Sequence, residues 1–134
     1  MKQVLLDTDI LSLYFRGNEN IISHMEKYLT VNRQINISII TYYEIVSGLK
    51  HRDSKKQLEK FLEFSKLNNI LPLTEESACI AAEIYALQRK KGKAIDDIDL
   101  LISGIAITNN LILVTHNIRH FSKISNLEIL DWSN

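Results

Sequence analysis

Val4-Leu5-Leu6-Asp7-Thr8-Asp9-Ile10-Leu11-Ser12 is the stretch that decides how the chain is read. Three apolar residues closed by an aspartate read as a short buried strand. Ile10, Leu11, Leu13 and Tyr14 then fall at helical spacing as far as Gly17, so a helix follows directly after Asp7. An acid at that turn stands just beyond a strand's carboxyl end, where open α/β sheets bind their ligands.

The alternation continues along the chain. Asn18 opens a second helix with Ile21, Ile22, Met25, Tyr28 and Leu29 on one face. Residues 35–40 read as the second strand, with Thr41 as N-cap of a helix striped by Tyr42, Ile45, Val46 and Leu49. A helix is expected over 54–67, a strand over 70–73 and a long helix from Thr74 to Gly92. Asp96 is expected to cap an apolar helix over 97–109, and strands follow over 111–115 and 127–130. Strands alternating with helices imply an α/β fold whose parallel sheet is covered on both faces.

The 134 residues, with 46% hydrophobic and 24% charged side chains, suit one globular domain spanning 1–134. Sixteen basic and sixteen acidic side chains cancel, which excludes a protein that coats nucleic acid by bulk charge. Binding must use a local site. Two basic stretches, Lys50-His51-Arg52 with Lys55, Lys56 and Lys60, and Arg89-Lys90-Lys91 with Lys93, have solvated helix faces as their ordinary explanation. No apolar run approaches the ~20 residues of a membrane span. Asp7 arrives too early for a signal peptide, and the single cysteine, Cys79, has no internal partner. A reducing cytoplasm and no membrane are expected.

Asp7 after the first strand, Glu44 in the helix after the second, Asp96, Asp97 and Asp99 opening a later helix, and Asn117 beyond the fourth strand all fall at one sheet edge. Each has an ordinary role taken alone. Asp7 suits a helix cap, Glu44 an exposed acid, and Asp96 with Asp99 a variant capping box. Together they repel: two carboxylates ~4 Å apart cost roughly 4 kcal/mol at an effective dielectric of 20. An all-oxygen cluster of this kind calls for Mg²⁺ or Mn²⁺ rather than Zn²⁺. His24, His51, His116 and His120 lack zinc-like spacing. Thr115 and Asn117 offer uncharged oxygens, and Gly48, one turn beyond Glu44, leaves bare backbone for a close approach. A metal–carboxylate cleft suits phosphoryl chemistry. With no phosphate-binding glycine loop and no Gly-x-Ser-x-Gly elbow, phosphodiester hydrolysis is favoured.

These stretches resemble the PIN-domain ribonucleases, and among them the VapC-type toxins of type II toxin–antitoxin modules. The resemblance spans nearly the whole chain. Its motifs are Leu5-Leu6-Asp7-Thr8-Asp9-Ile10-Leu11-Ser12, Ser38-Ile39-Ile40-Thr41-Tyr42-Tyr43-Glu44-Ile45 with Gly48, Gly92-Lys93-Ala94-Ile95 with Asp99-Leu100-Leu101-Ile102-Ser103-Gly104, and Leu113-Val114-Thr115-His116-Asn117-Ile118-Arg119-His120-Phe121, with Leu130-Asp131-Trp132 as its tail. It implies a three-layer α/β/α sandwich around a mostly parallel sheet, and Mg²⁺- or Mn²⁺-dependent cleavage of RNA, often tRNA or rRNA. It also implies a homodimer neutralised by a small antitoxin. It carries metal binding onto Asp7 and Asp99 and an active-site role onto Glu44. Asn117 joins the catalytic candidates, and Glu44 and Asp96 are additional candidate ligands. Thr8, Asp9, Thr115 and Arg119 are candidate substrate-contacting or supporting residues. Asp9 stands where the family usually has Asn, and Asn117 where many members have a fourth acid, so one or two bound ions both remain open.

Two other readings are weighed. Leu6-Asp7-Thr8-Asp9 also fits a haloacid-dehalogenase-type phosphatase, with Asp7 as nucleophile and Asp9 as acid/base, but the remaining motifs would fall in the wrong order. A PIN-like module without turnover is opposed by the presence of Asp7, Glu44 and Asp99. The apolar residues Leu58, Phe61, Leu62 and Phe64, and Ala78, Ala82, Tyr85 and Leu87, are expected to furnish a dimer face.

Overall fold

The structure, a computed structural model, describes residues 2–134. The strands are β1 (Val4–Leu6), β2 (Asn36–Ser38), β3 (Asn69–Leu71), β4 (Ile112–Val114) and β5 (Ile129–Leu130). The helices are α1 (Thr8–Phe15), α2 (Glu19–Val31), α3 (Ile39–His51), α4 (Lys55–Lys66), α5 (Glu75–Lys90), α6 (Asp97–Thr108) and α7 (Ile118–Phe121). All four strand pairings are parallel, in the order β3-β2-β1-β4-β5. The chain leaves β1 toward β2 and β3 on one side and later returns to β4 and β5 on the other. The switch point, where a crevice opens in such sheets, therefore lies between β1 and β4.

Strand residues alternate between two cores. Leu5 pairs with Leu113 and packs with Ile84, Ile102, Ile105 and Phe121 on the α5–α6 side. Leu6 pairs with Val114 and packs with Ile10, Ile21, Ile37 and Phe61 on the α1–α4 side. Both central-strand leucines are fully buried, and each contributes roughly 1.5–3 kcal/mol by leaving water. This double coverage is why the strand reads as an unbroken apolar run rather than an alternating one.

On the first of these sides, α6 lies so close to α5 that a Cβ on Gly104 would stand 2.3 Å from the Ser77 carbonyl oxygen. Gly17 (φ 87°) and Gly92 (φ 70°) end α1 and α5 in the left-handed region that glycine enters without steric penalty.

Three expectations are corrected. Helix α3 starts at Ile39, and Ser38 rather than Thr41 is its N-cap, its hydroxyl accepting from the Thr41 N–H at 3.0 Å. Asp96 occupies the N-cap position of α6 but makes no side-chain capping bond. On α4, Phe61 is buried, and Leu58 and Phe64 pack against the core, so that helix has little apolar surface left to pair. On α5, Tyr85 and Leu87 are 40% and 48% exposed, but two positions apart they stand on different faces of the helix.

Candidate metal and catalytic site

Asp7 continues β1 by one residue, its N–H donating to the Val114 carbonyl at 2.9 Å. It is also the N-cap of α1. Both carboxylate oxygens are held: Oδ1 accepts from the Thr8 N–H at 2.8 Å, and Oδ2 from the Thr115 hydroxyl at 2.8 Å. Thr115, fully buried at the end of β4, accepts in turn from the Asn117 N–H at 3.0 Å. The acid is thus fixed across the switch point by backbone on one side and a buried hydroxyl on the other.

The other acids close the crevice from three elements. Thr8 Oγ1 donates to Glu44 Oε1 at 2.6 Å and lies 3.0 Å from the buried Thr41 hydroxyl, tying α1 to α3. Asp99, in the first turn of α6, has a side chain only 18% exposed and lies 3.5 Å from His120 Nδ1. Asn117 Nδ2 is 2.8 Å from the same His120 nitrogen. Asp9 Oδ2 accepts from the His116 N–H at 3.1 Å, while its buried Oδ1 has no partner.

These carboxylates are short of positive charge. Burial raises the Asp7 pKa from 3.8 to about 7, with Asp9 and Asp99 adding to the rise against the bonds from Thr115 and Thr8. Burial also raises Asp99, opposed by His120 and reinforced by Asp96 and Glu44. Asp9 is raised by burial despite its bond from the His116 backbone N–H. A divalent cation among them would reverse that sign. Among the described residues no group of three or more His, Cys, Asp or Glu side chains cages an ion by itself. An Mg²⁺-like ion, which keeps several waters and takes one or two carboxylates directly, does not require such a group. The donor set, the orphaned Asp9 oxygen and the raised Asp7 all fit such an ion.

Of the expected residues, Asp7, Thr8, Asp9, Glu44, Asp99, Thr115 and Asn117 gather at the crevice. Asp96 is exposed at its rim, close enough to act on Asp99. Arg119 is exposed and, among the described residues, forms no ion pair. His120 lies within the fourth motif but is not among the expected site residues, and the structure brings it to the site. Its signal is the spacing Asn117-x-x-His120, which on a helical turn brings both side chains to one side. His116 belongs to a separate C-terminal cluster, with Nδ1 3.1 Å from Asp131 Oδ2 and 2.8 Å from Ser133 Oγ.

The PIN domain model matches residues 4–127. The chain belongs to the PIN domain family. Among PIN-domain relatives, it is 29% identical over 132 residues to "Ribonuclease VapC1" of Haemophilus influenzae strain R2866, covering 96% of this chain and 97% of that protein. It is 26% identical over 134 residues to the "tRNA(fMet)-specific endonuclease VapC" of Shigella flexneri, covering 99% and 100%. A solved neighbour is VapBC2 from Rickettsia felis bound to a DNA fragment from its promoter. It matches with a TM-score of 0.86 and 29% identity, covering 96% of this chain and 98% of that one. PIN-domain VapC nucleases are metal-dependent as a class.

Proposed function

We propose that this PIN-domain protein is a metal-dependent endoribonuclease and the toxin of a toxin–antitoxin pair. It hydrolyses phosphodiester bonds of RNA, tRNA or rRNA being the substrate class, with Mg²⁺ or Mn²⁺ as the ion. The observation that carries the reading is the Asp7 carboxylate, buried, fixed at both oxygens and flanked by Asp9 and Asp99 with too little positive charge to balance them. Such an arrangement lowers stability unless a cation occupies it, which is the mark of a site kept for chemistry.

Asp7 and Asp99 hold the ion, with Glu44 as a further ligand reached directly or through water, while Asp96 stays at the exposed rim. When bound, the ion polarises a phosphate oxygen and makes water a better nucleophile. The chain's own groups position the reactants. Thr8 and Thr115 stop the Asp7 carboxylate from rotating. The Thr8 hydroxyl engages Glu44 Oε1, and Oε2 has no hydrogen-bond partner among the described residues, so it can take a proton from the attacking water. Asn117 and His120 border Asp99, where the leaving oxygen can be met by a donor.

The likeness to VapC ribonucleases and to a VapBC complex supports a small antitoxin partner. The reading puts the protein in the cytoplasm with its RNA. No helix among the described residues is long and apolar enough to cross a membrane. Ala78, Ala82 and the half-exposed Tyr85, on one face of α5, support a homodimer, to be checked by light scattering at micromolar concentration; a monomer there would remove it. The test of the activity is RNA cleavage by the purified chain with Mg²⁺ or Mn²⁺ and its arrest by EDTA. Cleavage that continues unchanged in EDTA would overturn the metal-dependent reading.

A further inference from the structure

Beside the acidic crevice, α1, α3 and α4 enclose a second hollow of about 270 Å³. Thr8 and Glu44 line it, so it opens directly onto the candidate site. A hollow of that volume admits a single flat ring system.

Its rim carries three cations from three elements: Arg16 at the end of α1, Arg52 at the end of α3 and Lys60 within α4. Among the described residues none of the three forms an ion pair. The two arginines also complement helix C-termini, where a cation is favourable. Lys60, in mid-helix, has no such reason. In a chain of zero net charge, three unpaired cations around one hollow next to an acidic site are a local exception.

Its wall has two further features. Phe15 is held by edge-on contacts with Tyr14, Phe61 and Phe64, yet remains 42% exposed. Gly48 lies inside α3, where glycine is the poorest residue after proline. The fold does not demand it there: an added Cβ would meet only Arg52 Nη1, at an ordinary 3.6 Å. The free space over Gly48 is therefore not claimed by packing.

Building on the ribonuclease reading, we infer that this hollow seats the nucleotide next to the scissile bond of a single-stranded RNA. Arg16, Arg52 and Lys60 neutralise its flanking phosphates, and its base lies over the bare backbone of Gly48 against Phe15. Cations tracking a backbone beside an exposed aromatic ring are the usual means of holding an unpaired strand. An anionic peptide would satisfy the cations but has no need of a bare backbone surface beside a ring, so the nucleotide is the better fit.

The test is steady-state cleavage of a labelled single-stranded RNA in Mg²⁺ by the full chain, by Gly48→Leu, and by an Arg52→Gln/Lys60→Gln double variant. Thermal melting of each confirms the fold, and the double variant changes only exposed side chains. Each variant is expected to raise KM about tenfold or more, with a smaller change in kcat. For the double variant, log KM should also depend less steeply on log salt, by about 1.4 in slope. Unchanged KM in both folded variants, while the natural chain cuts, overturns the proposal and leaves the ribonuclease reading intact. Unchanged KM together with lost binding of a Glu-rich peptide also overturns it, in favour of a peptide groove. A natural chain that does not cut RNA at all removes the ribonuclease reading itself.

Discussion

Gly104 and Gly48 are both glycines inside helices, and they sit in opposite kinds of surroundings. At Gly104 the missing side chain is replaced by the backbone of α5, with the Ser77 oxygen 2.3 Å from where a Cβ would be. At Gly48 it is replaced by open space beside three cations. The contrast extends outward. The α5–α6 seam is built from contacts that raise stability. The crevice and the α1–α3–α4 hollow gather groups that lower it: a buried acid, an orphaned carboxylate oxygen and a helix glycine without a packing reason. A small residue is informative only once its neighbours are known.

The sharpest way to break this contrast is at α6, which belongs to both regions. Asp99→Asn should lower RNA cleavage about thousandfold, roughly 4 kcal/mol in the barrier, while leaving the far-ultraviolet circular dichroism unchanged. Asp96→Asn, at the exposed rim, should stay within about threefold of the natural rate. The opposite ranking would mean that the ligand of this motif is misassigned.

Nearly as large is the metal-free pH dependence set by Asp7. Its pKa of about 7 lies above the ordinary 3.8. Below 3.8 folded and unfolded chains both carry the proton, and Asp7 makes no difference. Above it the unfolded chain releases the proton first, so stability falls as pH rises, until the full penalty is reached above about 7. That gap corresponds to about 4 kcal/mol. Urea unfolding in EDTA should therefore find Asp7→Asn more stable than the natural chain at pH 8 and much closer to it at pH 4. An equal difference at both pH values would contradict burial of the charged carboxylate as the cause.

The glycines themselves give the smaller effects. Gly104→Ala must push α5 and α6 apart and should cost about 3 kcal/mol in urea unfolding. Gly48→Ala meets only ordinary contact and should gain up to about 1 kcal/mol from helix propensity. Equal signs for the two would erase the distinction.

Much of the fold and site is legible in the sequence because the strands are short apolar runs with acids or hydroxyls at their ends. Asp7, Thr115 and the parallel sheet follow from that pattern. The Ser38 cap does not, because Ser38 and Thr41 both suit a helix start, and only the backbone path chooses between them. Helix α7, four residues long, is too short for periodicity to reveal, and the approach of His120 to Asp99 is hidden with it. Phe61 is expected on a dimer face, yet packing against α1 buries it within the chain's own core. The hollow around Gly48 is assembled from residues 8 to 61, a convergence no local pattern carries.

The bond from Thr115 to Asp7 joins residues 108 positions apart. β1 is made before β2 and β3, and its partner β4 only after them. Until β4 emerges, one edge of β1 stays open and the Asp7 carboxylate lacks its buried hydroxyl. Synthesis order therefore keeps the nascent chain from assembling its crevice until β4 has been made. Chains arrested before Ile112 should be protease-sensitive throughout and unable to cut RNA, whereas chains released after Trp132 should resist digestion.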